Sequence, residues 1–344
     1  MKRFLQKQKQ PMPQGSEPLL TAAYAFTLIF LLLAAGFIPP AASAGDESPE
    51  RDWSALVKEP WALMPEKYPI FDYSGDRLRK HWDDLHLRDG LPWPDEQFVI
   101  RQSGPEVPED PAEATRRLQD GWRHFHEGRF LEACRIGEAV GPAGGFLASQ
   151  ACLAIVLHRV DDKDIQAEWL RDLAARMEKR LDRTFMDTTY WEKAGLALVY
   201  GEYSRRISAL QARREGIPER ILELVESAIE ENPRLPAALG VLGAYHAEVV
   251  DRIGGVLGRV TYGASRDDAE RYFEKALEAD PGIIQLRVEY ARALLVLHGD
   301  DREADAMAQL EKVIAAEPID ALDLLGQLRG RRVMSSWKET GEVP

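Results

Sequence analysis

Two cysteines, Cys134 and Cys152, are all that 344 residues provide. Neither Cys-x-x-Cys nor His-Glu-x-x-His occurs, so no local zinc-ligand set exists, and a metal site would need assembly from distant residues. The seven histidines are scattered; His124 and His126, two apart on a helix, point in different directions. Gly-x-Ser-x-Gly is missing, because "GASRD" (263–267) lacks the closing glycine. The Ser-x-x-Lys spacing of Ser335–Lys338 lies near the C-terminus, where nothing is expected to shield a nucleophile. No convincing acid–base pair emerges, so no catalysis, metal or cofactor is expected. Cationic excess is missing too: 57 acidic against 44 basic residues give a net charge of −13. Such a body repels phosphate backbones and excludes nucleic acid as a natural partner. Alternating β-branched segments are scarce while Leu and Ala are abundant, which predicts helices.

One stretch lacks charge altogether. Residues 19–38, "LLTAAYAFTLIFLLLAAGFI", follow a start carrying Lys2, Arg3, Lys7 and Lys9 against Glu17. The run is long enough to span a bilayer. Ala42 and Ala44 then occupy the −3 and −1 positions of a small-residue cleavage site. A cleaved signal and a retained anchor both remain open, and both place the body outside the cytoplasm because the basic residues stay inside. The expected location is periplasmic, with any tether to the inner membrane through residues 19–38 and no other membrane contact. No cysteine follows the run, so lipid modification is unsupported. In an oxidising compartment Cys134 and Cys152 can bridge, being on neighbouring expected helices; two buried small hydrophobes are the alternative.

Four segments result. Residues 1–44 are the signal or anchor. Residues 45–110 hold Trp53, Trp61, Trp82, Trp93 and many prolines, and read as an irregular cap over the first repeat. One helix is predicted there, with Leu78, Trp82 and Leu85 on one face and Gly90 and Pro92 ending it. Residues 111–330 repeat helix, turn, helix, and 331–344 form a tail. The repetition has a shift of 48: Gly195 maps to Gly243, Ala228 to Ala276, Pro233 to Pro281, and "IEENPR" onto "LEADPG". A helical hairpin that cannot bury its apolar face alone must stack on its neighbours.

The units Leu239-Leu242-Gly243-His246 with Ala269-Phe273-Ala276-Pro281, and Trp191-Ala194-Gly195-Leu198 with Ile221-Val225-Ala228-Pro233, resemble the tetratricopeptide repeat (TPR) family. A weaker unit precedes them around Gly121–Ala133, and another follows through Tyr290–Pro318. The resemblance implies an all-α, right-handed α-solenoid of about four TPR-like helical hairpins with enlarged turns, since both central units carry extra residues between their helices. Gly254, Gly255, Gly258 and Gly263 fall in one such turn. They lack the Lys-Ser/Thr and the Gly-x-Gly-x-x-Gly spacing of phosphate loops, so they read as a connector. The enlarged hairpins, the Trp-Glu-x-Ala-Gly helix and "YFEKALEADPG" are loosely similar to the periplasmic TPR proteins associated with TRAP transporters, although the lipid-anchoring cysteine typical of that group is missing.

The family resemblance implies that the first helix of each hairpin lines a concave face. The candidate groove residues are Trp122, Phe125, Leu196, Val199, Ala244 and Arg292. Glu192, Gly240, Ala247, Gln285, Val288 and Leu295 share those expected inward positions, and Leu118 joins them on the first unit. A partner protein or peptide, such as a helix laid in the groove, is the first expected occupant. An apolar small molecule or lipid, or a transporter component, is the second, the protein then being associated with a TRAP-type solute transporter. Filling of the groove by the chain's own N-terminal segment or C-terminal helix is the third possibility, because so large an apolar surface is unusual on a stable monomer.

Overall fold

The 48-residue repeat is, in three dimensions, a helix hairpin with a short extra helix set into its turn. The structure is a computed structural model that describes residues 71–182 and 189–344. The apolar run 19–38, the cleavage signature at Ala42 and Ala44, Trp53 and Trp61 lie outside the described residues. Among the described residues all regular structure is helical, and no helix there is long and apolar enough to cross a membrane.

Two short helices come first, α1 (Arg77–Leu85) and α2 (Glu96–Ser103). The hairpins follow: α3 (Pro111–His126) with α4 (Phe130–Val140); α5 (Gly145–Arg159) with α6 (Lys163–Leu181); α7 (Tyr190–Ser204) with α9 (Ile217–Glu231), separated by α8 (Ala209–Arg214). Next are α10 (Pro236–Ile253) with α12 (Arg266–Ala279), separated by α11 (Gly255–Tyr262), then α13 (Ile284–His298) with α14 (Glu303–Ala315), and a closing α15 (Ala321–Thr340). Five hairpins thus replace the four or so expected. The unit without a sequence signature is α5–α6. Helix α5 is buried nearly all round, from Phe146 through Val156, so it has no polar face to set against an apolar one and shows no amphipathic period. Helix α15 runs through position 330 and contains Ser335–Lys338, which therefore lie within a helix rather than beyond the last one.

Local chemistry explains the helix boundaries. Helix α9 buries Ile217, Ile221, Leu224, Val225 and Ala228, a stripe with helical spacing. Asp162 caps α6 by accepting from the Asp164 and Ile165 amides at 2.9 and 3.0 Å. Ser265 caps α12 through the Asp268 amide at 3.1 Å, so Asp162, Asp267 and Asp268 serve helix starts, as their position before apolar runs suggested. Gly254 and Gly263 have φ of 80° and 66° and bracket α11; a side chain is disfavoured at both. The glycine cluster is a bent connector with one helical turn pair inside it.

Cys134 on α4 and Cys152 on α5 form a disulfide, with Cα atoms 5.8 Å apart across 18 residues. Closing a loop of that length stabilises by about 3 kcal/mol in the chain-entropy account. The Cys134→Ser/Cys152→Ser pair is expected to lose that order of stability in urea denaturation, with the helical circular-dichroism signal unchanged.

The N-terminal described segment does more than cover the first hairpin. Leu78, Trp82 and Leu85 of α1 are buried as their spacing predicts, and the Trp82 indole donates to the Leu91 carbonyl at 2.9 Å. The loop after α1 then reaches across the array. The Arg88 carbonyl accepts from the Ala237 amide at 2.9 Å, occupying a free N–H of the first turn of α10. The Gly90 carbonyl accepts from the Tyr190 hydroxyl at 2.9 Å. Tyr73 donates its hydroxyl to the Ile319 carbonyl, just before α15. Between these lies a buried polar chain: His86 Nδ1 is 3.0 Å from Asp89, His86 Nε2 is 3.3 Å from His126 Nε2, and His126 Nδ1 is 2.8 Å from Asp320. The first and last parts of the array are therefore joined through residues 71–92.

Candidate ligand cavity inside the helical array

The inner helices bring one face each to a common space. From α5 come Phe146, Gln150, Leu153, Ala154, Leu157 and His158, and from α7 Trp191, Ala194, Gly195, Leu198, Gly201, Glu202 and Arg205. Both sets follow helical spacing. Small residues at Ala194, Gly195, Gly201, Gly240 and Ala244 keep side chains out of this space, while Arg88 and Asp89 of the crossing loop, Ile221 of α9, Val241 of α10, Leu286 of α13 and Gly326 of α15 complete its walls. The cavity measures about 280 Å³ and is mainly apolar. It exists because the crossing loop and α15 cover the concave face without filling it.

Four of its wall residues carry a buried polar atom without a hydrogen-bond partner: Trp191 Nε1, Tyr245 Oη, Gln285 Oε1 and Glu289 Oε1, the last of them ion-paired with Arg329. Trp191 is 2% and Tyr245 5% exposed. Burial pushes the Tyr245 hydroxyl up, so it stays protonated at all ordinary pH. An unmet donor or acceptor of this kind costs about 1–3 kcal/mol.

One end of the cavity is ionic. Arg205 donates to Glu202 at 2.8 Å, Glu289 at 2.9 Å and Glu248 at 3.3 Å. Arg206 donates to Glu202 at 2.8 Å, Arg292 to Glu289 at 3.2 Å, and Arg329 sits 2.6 Å from Glu289. Burial alone would raise the Glu202 carboxyl, but the guanidiniums of Arg205, Arg329 and Arg206 hold it down at about 2. Glu289 is held well below the usual carboxylate range against the same desolvation by Arg205, Arg329 and Arg292. His158, facing this end, is pushed down to about 4 by burial, with Arg329 adding to the effect; it is neutral at physiological pH. The cluster divides this cavity from a second, more polar one of about 290 Å³, which shares Glu202, Arg205, Ala244, Glu248, Glu289 and Arg329.

The expected groove residues are dispersed by this arrangement. Ala244 lines both cavities, and Arg292 lines the second one. Gly240, Gln285 and Val288 also reach the first. Trp122, Phe125, Leu196 and Val199 are packed inside the protein at 2%, 1%, 1% and 0% exposure. On α7 the register is turned by one residue, about 100° of helix: Ala194, Gly195 and Leu198 face the cavity, so Leu196 and Val199 face neighbouring helices. On α3 the reason is cover. Trp122 meets Trp82 of α1 edge-on at 5.7 Å between ring centres and lies 6.1 Å from Phe146. The Glu202–Arg205–Glu289 cluster went unseen in the sequence, since nothing local marks three carboxylates on three helices as sharing one guanidinium.

No protein-family model matches the sequence, and no curated protein matches it. Among solved structures, the chain is similar to the crystal structure of TTC0263, a thermophilic TPR protein in Thermus thermophilus, at 20% identity and a TM-score of 0.42, with 64% of this chain and 99% of that one covered.

Proposed function

We propose that this helical-repeat protein is a non-catalytic binding protein whose ligand is a small, mainly apolar molecule with a hydrogen-bonding group, held in the cavity between α5, α7, α10, α13 and α15. One observation carries the reading: small residues at Ala194, Gly195, Gly201, Gly240 and Ala244 leave a mainly apolar cavity of about 280 Å³ between the inner helices, with polar and ionic side chains, Gln150, Gln285, Glu202 and Arg205 among them, on its border. Sites for small molecules have this composition, apolar walls with a few polar groups that fix orientation. A partner protein or peptide on the concave face is the second reading, and it would share that face with Arg88, Asp89 and α15, which border the cavity. The charge-free run at 19–38 and the disulfide support a setting outside the cytoplasm. A role in handling a transported solute is part of this proposal, on the loose sequence resemblance of the Trp-Glu-x-Ala-Gly helix and "YFEKALEADPG" to TRAP-associated periplasmic proteins.

The test fills the space. Ala244→Trp and Leu198→Trp place bulk in the cavity from α10 and α7. cis-Parinaric acid, a fluorescent apolar carboxylic acid, is the probe. The wild-type chain is expected to bind it saturably, and each variant to weaken it by about tenfold or more, equal to 1.4 kcal/mol, with little change in melting temperature. Binding that both variants leave intact, or no saturable binding to a protein from which organic solvent extracts nothing apolar, would overturn the proposal.

A further inference from the structure

The two enlarged turns share a basic composition, which residues 324–338 of α15 also have. Residues 203–214 contain Arg205, Arg206, Arg213 and Arg214, residues 252–266 contain Arg252, Arg259 and Arg266, and neither stretch contains an acidic residue, in a protein of net charge −13. Arg205, Arg206 and Arg252 are engaged with carboxylates inside the array. Arg213, Arg214, Arg259 and Arg266 are exposed and make no ion pair among the described residues.

The same turns expose their largest apolar side chains. Val256 is 84%, Val260 73% and Leu257 54% exposed on α11, and Leu210 is 59% exposed on α8. Val256, Leu257 and Val260 lie on one side of α11, at i, i+1 and i+4. The opposite side packs: Gly258 is buried, and Tyr262 lines the cavity. On α8, Ala212 is buried and borders the same cavity while Leu210 points away. A helix with an outward apolar side and flanking arginines is built for an interface rather than for water.

We infer that α8 and α11 dock this protein on an anionic lipid bilayer, with Leu210, Val256, Leu257 and Val260 entering the headgroup–acyl boundary and Arg213, Arg214, Arg259 and Arg266 meeting lipid phosphates. Charge complementarity selects this occupant. Arg213, Arg214, Arg259 and Arg266 would each contribute about 1 kcal/mol near an anionic surface, with Asp268 offsetting part of the Arg259 charge. Docking there would bring the cavity edge formed by Ala209, Ala212, Ile253 and Tyr262 next to the bilayer. The inference rests on the exposure and charge of the turns, so it stands or falls separately from what the cavity holds.

Residues 19–38 would bring the full chain to vesicles by themselves, so the readout must be local to the turn. Hydrogen exchange of peptides covering 253–263 serves, measured on the full chain with phosphatidylglycerol-containing vesicles and with pure phosphatidylcholine vesicles. Exchange across α11 is expected to slow by about tenfold with the anionic vesicles and little with the neutral ones. Val256→Asp/Val260→Asp, and separately Arg213→Glu/Arg259→Glu, are expected to abolish the slowing and leave α10 exchange unchanged. Unslowed exchange on vesicle-bound protein would overturn the inference. So would equal slowing on neutral vesicles, or slowing without lipid at high protein concentration, which would assign the patch to a second copy of the chain.

Discussion

Replacing Arg205 by methionine is expected to remove about 3–5 kcal/mol of folding stability at neutral pH, the cost of leaving a buried charge without its partner. The effect is large because Arg205, the residue that follows α7, serves Glu202 on α7, Glu248 on α10 and Glu289 on α13. Methionine preserves much of the volume and none of the charge. Arg206, Arg292 and Arg329 retain part of the compensation, which sets the upper bound. Acid supplies the check on mechanism. In the wild type the Glu202 carboxyl is held at about 2, below its value in an unfolded chain. Its contribution is therefore complete above the ordinary glutamate range and is lost as pH falls from about 4.5 toward 2. In Arg205→Met the carboxyls lose the guanidinium that depressed them and accept protons at higher pH, which relieves the uncompensated charge. The deficit relative to wild type is thus expected to be greatest at pH 7 and to narrow at pH 4.5. Urea denaturation at both values measures it. A deficit below about 1 kcal/mol at pH 7 would show the cluster to be no stronger than an exposed ion pair.

The helical class and the hairpin repeat were legible because they depend on short-range pattern. Gly195 and Gly243 mark a repeat whose partners, Ala228 and Ala276, sit at fixed distances in sequence. The cavity side of α10 was legible for the same reason: Gly240 and Ala244 are small where neighbours are large, and they line the open space. The side of α7 was not, because Ala194, Gly195, Leu196, Ala197, Leu198 and Val199 are all apolar, so hydropathy cannot say which face is inside. A one-residue rotation separates Leu196, which packs, from Leu198 and Gly195, which line the cavity. The closure of the array was hidden more deeply. It depends on contacts between residues separated by 194 positions, as in His126 with Asp320, and on main-chain carbonyls such as that of Arg88, which no side-chain pattern marks. The same closure explains why Trp122 and Phe125 are covered rather than open.

That closure yields the second large effect. Asp320 is 1% exposed and does two jobs. One oxygen accepts from the Asp323 amide at 2.8 Å and starts α15, while the other meets His126 Nδ1 at 2.8 Å with the Arg88 guanidinium 4.0 Å away. Asp320→Ala removes the cap, worth about 1 kcal/mol, leaves the buried His126 ring without its acceptor, worth about 1–3 kcal/mol, and leaves Arg88 with only the Asp89 carboxylate 3.8 Å away. The loss should be local in form. Residues 71–92 are tied to α15 through Asp320 and Tyr73, so limited proteolysis is expected to cut this segment many times faster in the variant, while α12 and α14 stay protected. Asp320→Asn separates the two jobs: its carbonyl oxygen can still cap α15, and its amide can donate to a neutral His126 ring, so it is expected to recover about half the loss and slow the cleavage. Asp323 provides an independent reading. Burial and the nearby Asp320 charge raise its carboxyl to about 6, above its unfolded value, so its contribution is present below about pH 4 and is lost as pH rises through 6. With the Asp320 charge gone, the Asp323 titration should move toward the ordinary aspartate range, and carbon-detected NMR of the side-chain carboxyl would follow it. Wild-type proteolysis rates in Asp320→Ala would mean that residues 71–92 are held by the apolar contacts of Trp82 and Leu91 alone.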